Sequence, residues 1–524
     1  MKQAFVVVLG LLPLAGWAQP VVVDGALPDG VDYVQVPFTV PAGTQEIEIA
    51  HQTVDPGNIL DWGVMAPEGF RGYGGGNTEN AVIGAQASSR SYLTGPISAG
   101  EWQLYIGRAK TPTVPARYHL EFTYRTTPTL TAQTERSAYA PAAALSKTRR
   151  WYAGDFHTHS KESGDAQPEI EAMIALAKSR GLDFIELSDH NTRSQLDFIN
   201  LSQSHHSDFL LLPGVEWTTY LGHANGIGVT QWVDHRVGFN GVTSDAAAAA
   251  IVAQGAVFSI NHPMLDLGDQ CIGCKWKHAI PKSSLGAVEI GTGGWDKSGV
   301  LFSRQAIAMW DGLCNAGLHL AALGGSDDHT AGVNEGSFGS PIGNPTTMVF
   351  ADELSVQGVV DAVKHGHTVV KLQGPGDPMV DLSFGTAHVG DTVKEPTAKL
   401  SAVVTGGMGQ QVRFVHNGTP MEPVSVDSDP FTATVDATAP ATGEDRWRAE
   451  LLVAGDPRTV TSHLYLAPPE APVKHGCGCE SGPAGGAALT VLGLLARLLR
   501  PRRQAVQATS LTVARKTSPS PSSR

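Results

Sequence analysis

Five times between residues 150 and 330 a short apolar run ends on a side chain that can bind a cation. Trp151, Tyr152 and Phe156 lead into His157-Thr158-His159. Phe184-Ile185-Glu186-Leu187 leads into Ser188-Asp189-His190-Asn191. Leu210-Leu211-Leu212 leads into Pro213-Gly214-Val215-Glu216, with His223 a few residues on. Phe258-Ser259-Ile260 leads into Asn261-His262-Pro263, and Leu318 to Leu323 leads into Gly325-Ser326-Asp327-Asp328-His329. Short apolar runs bounded by turn residues read as buried strands. Helical stretches lie between them: Pro168 to Ala177 with Gly181 past its end, an Ala-rich helix capped by Ser244 and stopped at Gly255, Ser303 to Ala316, and Ser355 to His365. Strand, loop and helix in alternation prescribe a parallel α/β sheet, closed or nearly so, whose strand C-termini share one rim. Positions i and i+2 of a strand face the same side, so His157 and His159 aim at one point. Asp165 follows closely enough to reach the same rim.

A His-x-His pair alone is weak evidence, and a histidine after a strand often only bonds a backbone carbonyl. Five strands delivering imidazole or carboxylate to one rim point instead to a metal centre. The mixture suits Zn, Mn or Fe over Ca, and the lack of thiolates argues against a structural zinc knot. His51, His205, His206, His235, His278, His319, His365 and His367 fall off this pattern and read as ordinary polar residues.

The flanks have a different grammar. Residues 20–127 alternate apolar and polar, as in Tyr33 to Val40 and Tyr118 to Tyr124, with Gly/Pro turns, and read as a β-sandwich or jelly roll. Residues 128–149 are rich in Thr, Ala and Pro and read as a linker. Residues 378–467 read as a second β-sandwich-like module. The N-terminus has the form of a secretory signal over residues 1–18: Lys2, an apolar core from Ala4 to Leu14, and Gly16-Trp17-Ala18. A secreted, cell-surface or periplasmic protein is expected. Residues 477–503 run from Cys477-Gly478-Cys479 through an apolar stretch to Arg500, Arg502 and Arg503. They resemble the tripartite sorting signals of myxobacterial type, which implies sorting or membrane machinery as a partner; residues 504–524 read as a disordered tail. A net charge of −13 argues against nucleic acid as a partner. Five cysteines are too few to hold a fold of 524 residues. Cys271-Ile272-Gly273-Cys274 reads as a local disulfide, and Cys314 as a buried apolar residue.

Taken in order, His157-x-His159, Asp189-His190, Gly214-Val215-Glu216, His223, Asn261-His262-Pro263 and Ser326-Asp327-x-His329 resemble the successive motifs of the polymerase-and-histidinol-phosphatase (PHP) superfamily over residues 150–371. The resemblance implies a distorted (β/α)7, TIM-like barrel holding two or three divalent metal ions (Zn, Mn or Fe). The implied ligands are His157, His159, Asp165, His190, Glu216, His223, His262, Asp327 and His329, with Glu162 an alternative to Asp165. The β module before it, with Asp61-Trp62-Gly63 and Gly69-Phe70-Arg71-Gly72, is similar to that of the secreted carbaryl-hydrolase (CehA/McbA-type) branch, as are Trp310-Asp311 and Gly366-His367-Thr368.

On this reading the chain is a metal-dependent hydrolase of a small-molecule ester. Glu216 bridges two cations, Asp327 is a second bridge or a terminal ligand, and His262 or His329 binds a third cation or protonates the leaving group. Asp189 orients a ligand histidine. The superfamily resemblance favours phosphoesters, the branch resemblance carboxylic or carbamic esters. Lys161, Arg193, Lys275, Lys277 and Arg304 are candidate rim cations for phosphate. The rival of another class is a non-catalytic surface binding protein with a metal-stabilised barrel. Oligomeric state is not legible in the sequence.

Overall fold

A computed structural model describes residues 19–293, 299–333 and 340–470. The signal at 1–18, the sorting segment at 477–503 and the tail at 504–524 lie outside the described residues. The described chain is mixed α/β, rich in sheet, with five α-helices. No helix among the described residues is long and apolar enough to cross a membrane.

The first eight strands are β1 (Val21–Leu27), β2 (Tyr33–Val40), β3 (Glu46–Thr53), β4 (Ile59–Ala66), β5 (Gly69–Gly75), β6 (Ala81–Gly84), β7 (Gly100–Lys110) and β8 (Ala116–Arg125). They form two antiparallel sheets, ordered β1-β8-β3-β6 and β2-β7-β4-β5. Alternate residues turn inward, so Val36, Phe38, Ile47, Ile49, Leu104, Ile106, Leu120 and Phe122 meet in one core. Residues 128–149 form no helix or strand of their own, yet they are hydrogen-bonded on both sides. Gln133 N donates to Gln86 O, Ser137 N to Asp197 O, and Leu145 N to Leu354 O. The nearly buried Arg136 faces Glu162 and Asp197.

The middle of the chain supplies β9 (Arg150–Asp155), α1 (Ile170–Ser179), β10 (Phe184–Leu187), α2 (Leu196–His205), β11 (Leu210–Thr219), β12 (Gly222–Ile227), α3 (Ser244–Ala253), β13 (Val257–Ile260), β14 (Leu285–Thr292), α4 (Val300–Asn315), β15 (Ala321–Gly325), β16 (Thr346–Ala351), α5 (Val356–Lys364) and β17 (Thr368–Lys371). The sheet runs β15-β14-β13-β12-β11-β10-β9-β16-β17. Within it β12 is antiparallel to both its neighbours, and β16 is antiparallel to β9. The run from β15 to β9 curves until its ends meet: Asp327 N donates to His157 O, and His159 N to Asp328 O. Every residue of β10, β13 and β15 is buried, because the sheet is covered on both faces. That is why these strands read as continuous apolar runs rather than as alternating ones.

Beyond β17 the sheet continues into the C-terminal strands, through the antiparallel pairing of β17 with Asp456–Thr461. A separate antiparallel sheet of Met379–Phe384, Ala387–His388, Thr397–Thr405 and Phe431–Thr438 covers it, with Leu382, Leu400, Val404, Phe414 and Leu451 between.

Candidate metal centre

The nine residues singled out above come together at the rim. The backbone bonds that join the loops after β9 and β15 bring Asp327 Oδ1 to 3.2 Å from His157 Nε2 and 3.0 Å from His159 Nε2. Glu216, on β11, faces four rings. Its Oε1 lies 3.2 Å from His157 Nε2, 3.4 Å from His262 Nε2 and 3.4 Å from His223 Nδ1, and its Oε2 lies 2.5 Å from His190 Nδ1. Toward the cleft the ring of His159 stacks on that of His329 and lies tilted against that of His190, with centroids 4.1 and 4.4 Å away. Asp165 Oδ2 stands 3.4 Å from His190 Nε2 and 3.7 Å from His329 Nε2. Three groups hold their donor atoms within 4.8 Å of one another: His157, Glu216 and His262; His157, His159 and Asp327; His159, His190 and His329. A fourth, His223 and His262 with Cys274, has its sulfur in the disulfide with Cys271 and so has no thiolate to give.

Two of the acidic residues read from the sequence act elsewhere. Glu162 is turned away from the cleft, its carboxylate accepting from Ser91 N of the N-terminal sandwich at 2.9 Å. Asp189 accepts from Ser160 N and Oγ, so it shapes the loop after His159 rather than orienting a ring directly.

The far ring nitrogens show what these histidines are arranged for. His157 Nδ1 meets Glu289 Oε2 at 2.9 Å, His159 Nδ1 meets Ser163 Oγ at 3.1 Å, and His329 Nδ1 donates to Asp327 O at 2.9 Å. His223 Nε2 donates to Ile272 O and His262 Nδ1 to Cys274 O, both at 3.2 Å. A carbonyl only accepts, so in the His223, His262 and His329 pairs the far nitrogen carries a proton and the other nitrogen is the one turned toward the carboxylates. The inward atoms His157 Nε2, His159 Nε2 and His223 Nδ1 are buried and have no hydrogen-bond partner. Buried polar atoms are rarely left so, and imidazoles with one nitrogen held by an acceptor and the other bare are the usual preparation for a cation.

The electrostatics fit the same occupant. Burial opposes ionisation of Glu216 and Asp327, yet the surrounding imidazoles hold both well below the carboxylate range. Burial also opposes protonation of His157 and His190. Asp327, Glu216 and Glu289 around the first, and Asp165 and Glu216 around the second, outweigh it and raise both. His159 goes the other way, pushed to about 3 by burial and by His329 and His190. In the metal-free protein, protons on some rings balance the carboxylates where a cation would replace them. The backbone is constrained here too: His262 and Asp327 have φ of 26° and 56°, conformations that cost side-chain-bearing residues on the order of 1 kcal/mol or more each.

The centre lies at the floor of a cleft of about 750 Å³ with walls from two parts of the chain. Tyr220, at the tip of the β11–β12 hairpin, donates to Asp61 Oδ2 of the N-terminal sandwich at 2.7 Å. Asp61, Tyr73 and Arg90 line that wall. Lys161, Lys275 and Arg304 are instead paired with Glu169, Asp266 and Asp456, and neither they nor Arg193 and Lys277 line the cleft. Sequence reading did not single out Glu289, Asp155 or Arg90, and gave Asp61 no part in the site. Glu289 lies within an apolar strand, and Asp155 accepts from His157 N, Ser326 N and Gly343 N, tying the two ligand loops together. A carboxylate inside an apolar run was the signal available for Glu289, and the Asp61-Trp62-Gly63 resemblance was the one for Asp61; for Arg90, which reaches the cleft only through the packing of two modules, there was none.

No protein-family model and no curated protein matches the sequence. Among solved structures, the chain is similar to a two-domain protein of Bacteroides vulgatus containing a predicted PHP-like metal-dependent phosphoesterase. That likeness is 18% identical, covers 64% of this chain and 100% of that one, and has a TM-score of 0.35. It is also similar to a Bifidobacterium adolescentis protein described as a metal-dependent phosphoesterase, at 11% identity, 36% of this chain, 92% of that one and a TM-score of 0.24. The structural neighbours of this mixed α/β chain thus include PHP-like metal-dependent phosphoesterases, at a distance.

Proposed function

We propose that the protein is a hydrolase of PHP type, its curved sheet a distorted barrel and its substrate a small phosphoester. The observation that carries this is the convergence of bare, buried imidazole nitrogens with the ionised Glu216 and Asp327 at the floor of an open cleft. His157, His223 and His262 with Glu216 would hold one divalent ion, and His159, His190, His329 and Asp165 another, with Asp327 between. Two such ions supply an activated water and a clamp for the reacting oxyanion.

The chain's own groups do the rest. Glu289, Ser163, Ile272 O and Cys274 O fix which nitrogen of each ring is free. His262 is 4% exposed, with Nδ1 held by Cys274 O and Nε2 facing Glu216, which suits holding a cation better than protonating a leaving group. His329, its side chain 28% exposed, is the most open of these rings, so the ion it would hold beside Asp165 is the one on the cleft side. Arg90 on the opposite wall, held by Glu79, offers a cation to an anionic substrate. The Val21-to-Arg125 sandwich carries that wall, so the N-terminal module belongs to the substrate site.

The test is metal analysis of the purified full chain with turnover of nitrophenyl phosphate, bis-nitrophenyl phosphate and nitrophenyl acetate. Two or more equivalents of metal and phosphoester turnover lost in Glu216→Gln are expected. Turnover of the acetate alone would move the assignment to carboxylic or carbamic esters. Metal without any turnover would leave a binding protein, and absence of metal would overturn the assignment.

A further inference from the structure

The structure assigns a positioning role in the metal centre to the short disulfide hairpin at the cleft edge; this inference rests on the metal-centre reading. Cys271 and Cys274 are three residues apart and bridged, with Cα atoms 5.6 Å apart. A ring this small removes little entropy from the unfolded chain, so the bridge is a poor global staple and its local effect matters more. That effect falls on two carbonyls. Ile272 O lies inside the ring and Cys274 O closes it, and they are the acceptors for His223 Nε2 and His262 Nδ1. The bridge therefore fixes the tautomer and the aim of two rings that share Glu216 Oε1. One of their inward nitrogens, His223 Nδ1, is buried with no partner.

The hairpin is seated by other contacts, so loosening the bridge need not unfold it. Trp276 N donates to Pro263 O at 3.0 Å and Lys277 N to Leu221 O at 2.7 Å. Lys110 of the N-terminal sandwich pairs with Asp269 at 2.7 Å. Gly273 carries the closest approach: its φ is +81°, and a Cβ there would lie 2.2 Å from Thr219 O. Only glycine lets the ring sit down on the end of β11 and bring both carbonyls within reach of the histidines. The motif Cys-Ile-Gly-Cys is thus one device, with the bridge setting the shape of the ring and the glycine its seat.

Removing the device should weaken the hold of His223 and His262 on a cation, while the opposite group of His159, His190 and His329 keeps its own. The probe is Co(II), read by its visible absorption and by competition with a chromophoric chelator, on the full chain. Three proteins are compared with the oxidised parent: the parent reduced by a phosphine, Cys271→Ser/Cys274→Ser, and Gly273→Ala. In the reduction the S–S bond takes two electrons from phosphorus, water supplies the oxygen of the phosphine oxide, and both sulfurs leave as thiols. The expected result is that one Co(II) equivalent binds roughly 10–100-fold more weakly in the two variants, as for loss of groups that orient ligands, while in the reduced parent the freed Cys274 sulfur, within reach of the His223 and His262 nitrogens, becomes a ligand itself. The absorption of that equivalent changes, and reoxidation of the reduced parent restores it. Gly273→Ala keeps the test decisive if the serine pair fails to fold. Equal affinity and an unchanged spectrum in all three would overturn the inference. No Co(II) bound by the oxidised parent would overturn the metal-centre reading itself, and this inference with it.

Discussion

Glu216 stands where four imidazole rings converge, while Glu289 serves the far side of His157 and Asp327 faces His157 and His159. Glu216→Gln keeps the shape and removes the charge. It should lose at least one metal equivalent and at least about 10³-fold in turnover, matching the several kcal/mol that a bound cation gives a transition state. Glu289→Gln removes the charge behind the His157 ring and should cost roughly 10–100-fold in metal affinity. The charge state of the metal-free site gives a further test. The pKa values of His157, His190 and His262 are raised despite burial, through Glu216 and its neighbouring carboxylates. Their protonated forms compete with a cation, so metal binding at neutral pH should release at least one proton, and affinity should climb as pH rises. Calorimetry in buffers of different ionisation enthalpy measures the release, and a value of zero would contradict the charge pattern. Seven of the nine rim residues could be picked from the sequence because their loops follow apolar runs; Asp165 and His223 lie a few residues further on and were implied by the family resemblance. The groups behind them could not: Glu289 and Asp155 are buried within strands, and only the folded sheet shows which ring or loop they meet.

The hairpin of β11 and β12 explains why Glu216 and His223 act together. Residues two apart on a strand share a face, so Glu216 and Thr218 point the same way. Their antiparallel partners are Asn225 and His223, which places all four on one surface. The antiparallel β12 was not expected from a strand–loop–helix reading, because its sequence, Gly222-His223-Ala224-Asn225-Gly226-Ile227, lacks an apolar run. Nor was α2, whose Leu196 and Ile199 supply only a short apolar face. Helix starts were legible to within a few residues: Thr243, not Ser244, caps α3, its hydroxyl accepting from Ala246 N. Elements also limit what can stand between them. Gly325, the last residue of β15, is packed so closely on the β9 loop that a Cβ would lie 2.3 Å from His157 Cβ. Gly325→Ala should therefore cost about 1–3 kcal/mol through overpacking and displace His157. Chemical unfolding in chelator separates the packing cost from the loss of metal. An unchanged midpoint there would show that the two strands can slide apart freely.

Across the whole molecule buried charge joins the three parts, and a continuous sheet joins the middle part to the C-terminal one. Alternating strands made the two flanking β modules legible, since each sheet turns one face to a core. Their attachment was not legible, because it depends on charged residues that read as solvated in a helix or an Ala/Pro-rich segment. Arg136 does this on one side. On the other, Asp311 of α4 accepts from Arg448 Nη2 at 2.8 Å and lies 3.4 Å from His463 Nε2. Arg448 is also bonded to Glu450, and it is buried. Burial opposes ionisation of Asp311, but His463 and Arg448 outweigh it and hold its pKa well below the ordinary carboxylate range. A depressed carboxylate stabilises the fold fully above its unfolded pKa of about 3.9, and that contribution is withdrawn as pH falls toward the lower folded value. Asp311→Asn should therefore destabilise the protein at neutral pH by roughly 3 kcal/mol, the low end for breaking a buried pair, because Glu450 still faces Arg448. The gap between parent and variant should hold from neutrality down to about pH 5, then narrow as the parent's Asp311 takes up its proton. Urea unfolding of both proteins over that range measures it. A gap independent of pH would mean that the two proteins differ by packing at α4 rather than by the charge that joins it to the C-terminal strands.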